Sequence, residues 1–126
     1  MIAHTQSLSF QTLDGQPITV EATATKGLPG IVIVGMGNKA VQESVQRVRS
    51  ALKHSDLPLP PRRYIVNLAP AELPKQGSHY DLAIAVALLA AASLLKTSEI
   101  ENCFFLGEVS LDGHIRPTNG AAFLLH

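Results

Sequence analysis

The densest group of chemically capable side chains lies in LPKQGSHYD, residues 73–81, where Lys75, Ser78, His79 and Asp81 crowd together. A serine becomes a nucleophile when a neighbouring base takes its proton, so the group raises a hydrolase. The same residues also have a structural use. Ser78 and Asp81 form S-x-x-D, a spacing at which a hydroxyl and a carboxylate can satisfy the free amides of a helix start. Neighbours in sequence rarely have the mutual geometry of a nucleophile and its base, so capping is the first expectation.

A second candidate is GMGNKA after the apolar run IVIV, a G-x-G-x-x-A pattern at residues 35–40. Dinucleotide binding needs Gly35 for a tight turn, Gly37 for backbone approach to a pyrophosphate, and a small Ala40 for helix packing. It also needs an acidic ribose-binding residue ending a second strand roughly 20 residues on. Asp56 falls near that spacing but sits in HSDLPLPP, a turn. The glycines are therefore read as serving a strand-to-helix turn, and no cofactor is expected. No G-x-x-x-x-G-K-[ST] loop occurs for ATP phosphates.

His4, His54, His79, His114 and His126 are dispersed, and no cysteine pair accompanies them, so no metal site is expected. His54 is read as a helix C-terminal residue that satisfies the last carbonyls. Arg47, Arg49, Lys53, Arg62 and Arg63 form the strongest binding candidate. Arg47 and Arg49 cannot share a helix face, being two residues apart. A solvated face is weighed first, and a nucleic-acid patch second, because no aromatic is interleaved to stack bases.

Alternation predicts a hairpin from SLSFQTL (Leu8, Phe10) and PITVEATAT (Ile18, Val20, Ala22, Ala24), turning at Asp14-Gly15. IVIV predicts a short strand. Asn38 is expected to cap a helix with Val41, Val45, Val48 and Leu52 inward and Lys39, Glu43, Arg47 and Lys53 in water. RRYIVNLAP predicts a strand, and residues 82–92 a helix apolar all round and hence buried. Two short strands are expected about Asp112-Gly113, and residues 119–126 start a helix-like segment. That ending is apolar, so Phe123, Leu124 and Leu125 are expected to find partners downstream in a longer protein.

The 126 residues suit one domain, 1–126, with Lys plus Arg equal to Asp plus Glu. No global field draws the chain toward nucleic acid or membrane. No basic and apolar leader opens it, no apolar run approaches the roughly 20 residues that span a bilayer, and the lone Cys103 fits a reducing compartment. The expected location is cytoplasmic.

Taken together, GLPGIVIVGMGNKAVQESVQRVRSAL, NLAPAELPKQGSHYDLAIAVALLAA and LGEVSLDGHIRPTNG resemble the N-terminal domain of the magnesium-chelatase-related AAA+ proteins, the ComM-like group. The resemblance implies an α+β Lon-protease-like domain of the ribosomal-protein-type left-handed βαβ superfold, a small sheet packed with two main helices. It implies a downstream ATPase module that uses ATP and Mg2+, a hexameric assembly, and DNA as partner through branch-migration helicase activity in natural transformation. Lon-type peptidases carry a Ser-Lys dyad. Laid on this chain without gaps, the serine position falls on His79 and the lysine position on Ala122, while Lys75 matches a non-catalytic lysine and Ser78 lies one residue off. The resemblance thus implies a scaffold without its dyad, used for assembly or DNA handling. The alternative is a divergent peptidase using Ser78.

Overall fold

The computed structural model describes residues 2–10 and 15–117. Asp14 of the expected turn, Ala122, His126 and the helix-like segment 119–126 lie outside the described residues. In chain order the elements are β1 (Ile2–Ser9), β2 (Gln16–Thr25), β3 (Gly30–Val34), α1 (Asn38–His54), β4 (Arg63–Ala69), α2 (Asp81–Ala91), β5 (Glu108–Val109) and β6 (Ile115–Arg116). The first four strands make one sheet in the order β1-β2-β4-β3. β1 with β2 and β2 with β4 are antiparallel, whereas β3 and β4 are parallel and joined through α1. β5 and β6 pair as a separate short hairpin. This is an α+β domain, a small sheet with two main helices.

Register places Ala3 opposite Ala22, Ala22 opposite Val66, and Val66 opposite Ile33, so one face carries the core across all four strands. Ile18, Val20, Val66 and Leu68 are fully buried there. Each such side chain stabilises by about 1.5–3 kcal/mol through removal from water. Helix α2 covers this face, and from Ala83 to Ala91 all its residues are buried. On β1 the inward residues are Ala3, Thr5, Ser7 and Ser9, not the expected Leu8 and Phe10, which are only half-buried. Small side chains admit the alanine-rich helix closely, and Thr5 Oγ1 donates to the Ala83 carbonyl at 2.8 Å. The apolar alternation of SLSF marked the wrong face for that reason.

The other sheet face is mixed, with a row of Ile2, Thr23, Ile65 and Val32 beside a polar row of His4, Glu21 and Asn67. Glu21 stands between His4 and Asn67, its Oε2 3.4 Å from His4 Nε2 and its Oε1 accepting from Asn67 Nδ2 at 2.9 Å. Cross-strand pairs of this kind hold register on a wet face.

Helix α1 begins without a side-chain cap. Gly37 is the N-cap residue in extended conformation and Asn38 is already helical, so the expected Asn38 cap is corrected. At the other end His54 Nδ1 donates to the Ser50 carbonyl at 2.9 Å, as expected. Asp56 takes the left-handed position at φ 58°, and the Leu57 amide returns to the Leu52 carbonyl at 2.9 Å, closing the helix end. No helix among the described residues is long and apolar enough to cross a membrane.

Candidate functional site

Three places in the fold carry the residues singled out above. The first is the start of α2. Ser78–Tyr80 form one turn of 3-10 helix leading into Asp81, and neither helix start has a side-chain cap hydrogen bond. The S-x-x-D capping box is therefore corrected. Asp81 is 1% exposed and turns toward α1 instead, where Oδ1 accepts from Ser44 Oγ at 2.8 Å and from Arg47 Nη2 at 3.1 Å. Its Oδ2 accepts from Arg47 Nε at 2.6 Å and from the Val109 amide at 3.3 Å. A bidentate guanidinium and two further donors satisfy the buried carboxylate, tying α1, α2 and β5 together. The hydrogen bond to Asp81 raises the Arg47 pKa above its usual range. Arg47 was expected in water and as a DNA contact; it is instead held in this knot.

His79 is buried, and its Nε2–H donates to the Leu8 carbonyl at 2.8 Å. Its ring lies 4.7 Å from that of Phe10 and 4.0 Å from that of Tyr80, centroid to centroid. The His79 carbonyl accepts from the Gly107 amide at 3.0 Å, and the Gly107 carbonyl accepts from Leu82 at 3.1 Å. Beside it, the Phe105 amide donates to the Gln6 carbonyl at 2.8 Å. Together these contacts occupy the outer edge of β1. Lys75 is also buried and donates to the Pro70 carbonyl, and desolvation pushes its ammonium pKa down. Ser78 is half-buried at the turn, Lys75 donates to the Pro70 carbonyl, and His79 donates through Nε2 to the Leu8 carbonyl.

Burial pushes the His79 pKa below its ordinary value, more than the Leu8 carbonyl and Asp81 raise it. The unfolded chain takes up a proton near pH 6.5 that the folded one resists, so stability is complete above that pH and falls as pH drops below it. Urea midpoints measured from pH 8 to pH 5 should decline more steeply for the native chain than for His79→Gln. Parallel profiles would show that the imidazole is solvated.

The second place is the glycine turn. Gly35 has φ +94°, and a Cβ there would stand 2.4 Å from the Leu68 carbonyl oxygen, whereas a Cβ on Gly37 meets nothing within 4 Å. The turn is packed against β4 rather than cupped around a ligand. β3 is an edge strand with a single parallel neighbour, which leaves no strand order of the dinucleotide-binding kind.

The third place gathers cations. Arg49, Lys53 and Arg62 line one pocket of about 400 Å³ where the end of α1 meets the starts of β3 and β4. Arg63 belongs to the opposite sheet face, where its aliphatic stem lies against Gly27. Of the five expected cluster members, three come together, and Arg47 and Arg63 do not. The sequence reading missed Ser44 and Asp81 as partners. Their signal was a lone carboxylate heading an otherwise apolar helix, and a serine on the apolar stripe of α1. Among the described residues no group of His, Cys, Asp and Glu could hold a metal ion.

The sheet, the two helices on one face and the buried knot at Asp81 define a small α+β domain. The chain belongs to the family described as subunit ChlI of Mg-chelatase, whose model matches residues 20–125. It is 44% identical over 109 residues to the uncharacterized protein YifB of Escherichia coli, covering 86% of this chain and 22% of that protein. To the competence protein ComM of Haemophilus influenzae it is 42% identical over 103 residues, 82% of this chain and 20% of that protein. A fainter likeness, 28% over 119 residues, covers 90% of this chain and 15% of the Lon protease of Mycolicibacterium smegmatis. The chain thus spans about a fifth of the length of its nearer curated relatives, and the match places it as a ComM-like N-terminal domain.

Proposed function

We propose that this domain is a non-catalytic assembly and DNA-handling element of a magnesium-chelatase-like AAA+ motor resembling a hexameric branch-migration helicase. In this reading ATP and Mg2+ belong to the ATPase module of that motor. The observation that carries the reading is His79. The position that the Lon resemblance gives to a nucleophile holds a buried imidazole bonded to a β1 carbonyl, so the residue serves packing. DNA contact rests on Arg49, Lys53, Arg62 and Arg63, which remain clear of the Asp81 knot. Charge contacts of this kind read phosphates without reading sequence, and they weaken steeply with salt.

The competing reading is a divergent Lon-type peptidase using Ser78, favoured by the likeness to a Lon protease. Incubation with a serine-reactive phosphonate and an unfolded protein should give neither labelling nor cleavage. Labelling at Ser78, with cleavage lost in Ser78→Ala, would replace the proposal by the peptidase. In the same preparation, binding to single-stranded and branched DNA should fall with salt, and its salt slope should shrink in Arg62→Ala/Arg63→Ala. An unchanged slope removes those two arginines from the interface.

A further inference from the structure

The basic pocket and an acidic, aromatic tip occupy opposite edges of one sheet. The pocket has an apolar floor of Ile31, Leu52, Leu59 and Tyr64 and a rim of Arg49, Lys53 and Arg62. Its surroundings are apolar too, with Leu28 83% exposed and Leu57 41% exposed. Among the described residues, none of the three rim cations takes part in an ion pair. Beyond β1, at the far edge, Phe104 bridges to Gln6 and is 53% exposed. Glu99 and Glu101, both exposed, lie just before it in the chain, and neither is in an ion pair among the described residues. Four strand spacings separate the two features, roughly 20 Å at 4.8 Å each, so one copy cannot bring its own tip to its own pocket.

We infer that the pocket receives Phe104 of a second copy of this chain, with Glu99 and Glu101 of that copy meeting Arg49, Lys53 and Arg62. This rests on the assembly half of the proposed function and supplies its contact; for Arg49, Lys53 and Arg62 it takes the place of the DNA role, which then falls to Arg63 and surfaces outside the pocket. Charge complementarity selects the occupant, because the chain has no net charge and divides these free cations and anions between two edges. The pocket disfavours a stacked base: its lining is proline and aliphatic, and its one ring, Tyr64, is 2% exposed with the hydroxyl donating to the Pro60 carbonyl. Since pocket and tip lie on different surfaces, the contact is heterologous. Each added copy leaves one pocket and one tip open, so copies continue into a ring where the rotation closes and into an open filament where it does not.

Sedimentation of the chain across a concentration series should show association beyond a dimer, weakened roughly tenfold or more by Phe104→Ser, a loss of about 1.4 kcal/mol. Arg49→Glu/Lys53→Glu should weaken it likewise, and mixing that variant with Glu99→Lys/Glu101→Lys should restore association between the two. A cysteine at exposed Pro58, beside the native Cys103, should give an oxidised ladder, while the native chain with Cys103 alone stops at dimers. Association indifferent to these changes would overturn this contact and leave assembly through another surface. A chain monomeric at every concentration, without a ladder, would overturn both the contact and assembly by this domain. Loss of DNA binding in Arg49→Glu/Lys53→Glu with association intact would overturn it in favour of a nucleic-acid site.

Discussion

Asp81→Ala should cost about 3–5 kcal/mol of folding stability, the loss expected when one partner of a buried ion pair is removed. The substitution strands the Arg47 guanidinium, whose side chain is 23% exposed, and leaves Ser44 Oγ and the Val109 amide without their acceptor. Domains of this size commonly have about 5–15 kcal/mol in all, so the variant should sit near the edge of folding. Its urea midpoint should fall by about 1–5 M, given slopes of about 1–3 kcal/mol per molar. Arg47→Met in the Asp81→Ala background should recover part of the loss, because it removes the stranded charge. A cost below about 1 kcal/mol, or a double variant no better than the single, would mean that water reaches the pair.

At the glycine turn, Gly35→Ala and Gly37→Ala should separate sharply. Residue 35 has φ +94°, and any Cβ there runs into the Leu68 carbonyl oxygen at 2.4 Å. Backbone strain of this kind costs about 1–3 kcal/mol, and the overlap with an immobile strand adds to it, so a loss of about 3 kcal/mol or more is expected. Gly37 precedes the helix in an extended conformation that alanine also adopts, with open space around it. Its replacement should cost about 1 kcal/mol or less, the size of an N-cap effect. Denaturation curves of the two variants decide the matter, and equal losses would show that both glycines answer to one requirement, as a ligand-binding turn demands.

Local periodicity made the hairpin, the amphipathic α1, the buried α2 and the strand at residues 63–69 legible, since each shows in the spacing of apolar residues. What escaped was set by contacts distant in sequence. Thr5, Ser7 and Ser9 face the core because α2, some 80 positions on, is made of residues small enough to meet them. Ser78 and Asp81 read as a cap from local spacing, yet Asp81 is claimed by Ser44 and Arg47 on another helix. Arg47 read as solvated for the same reason. The cationic group was legible as a list, and the helix period correctly divided Arg47 from Arg49. The pocket that unites Arg49 and Lys53 with Arg62 needed the parallel pairing of β3 with β4.

The outer edge of β1 is closed by groups that come much later in the chain: His79 on the Leu8 carbonyl and Phe105 on the Gln6 carbonyl. During synthesis the first hairpin therefore waits with an unprotected edge while about 80 further residues are added, roughly 4–16 s at ordinary elongation rates. An open strand edge is a template for pairing with other chains. The nascent domain passes through a vulnerable interval on the ribosome that a completed chain never revisits. Slowing translation between the codons for Ser9 and Phe105 should lower its soluble yield without changing a single residue.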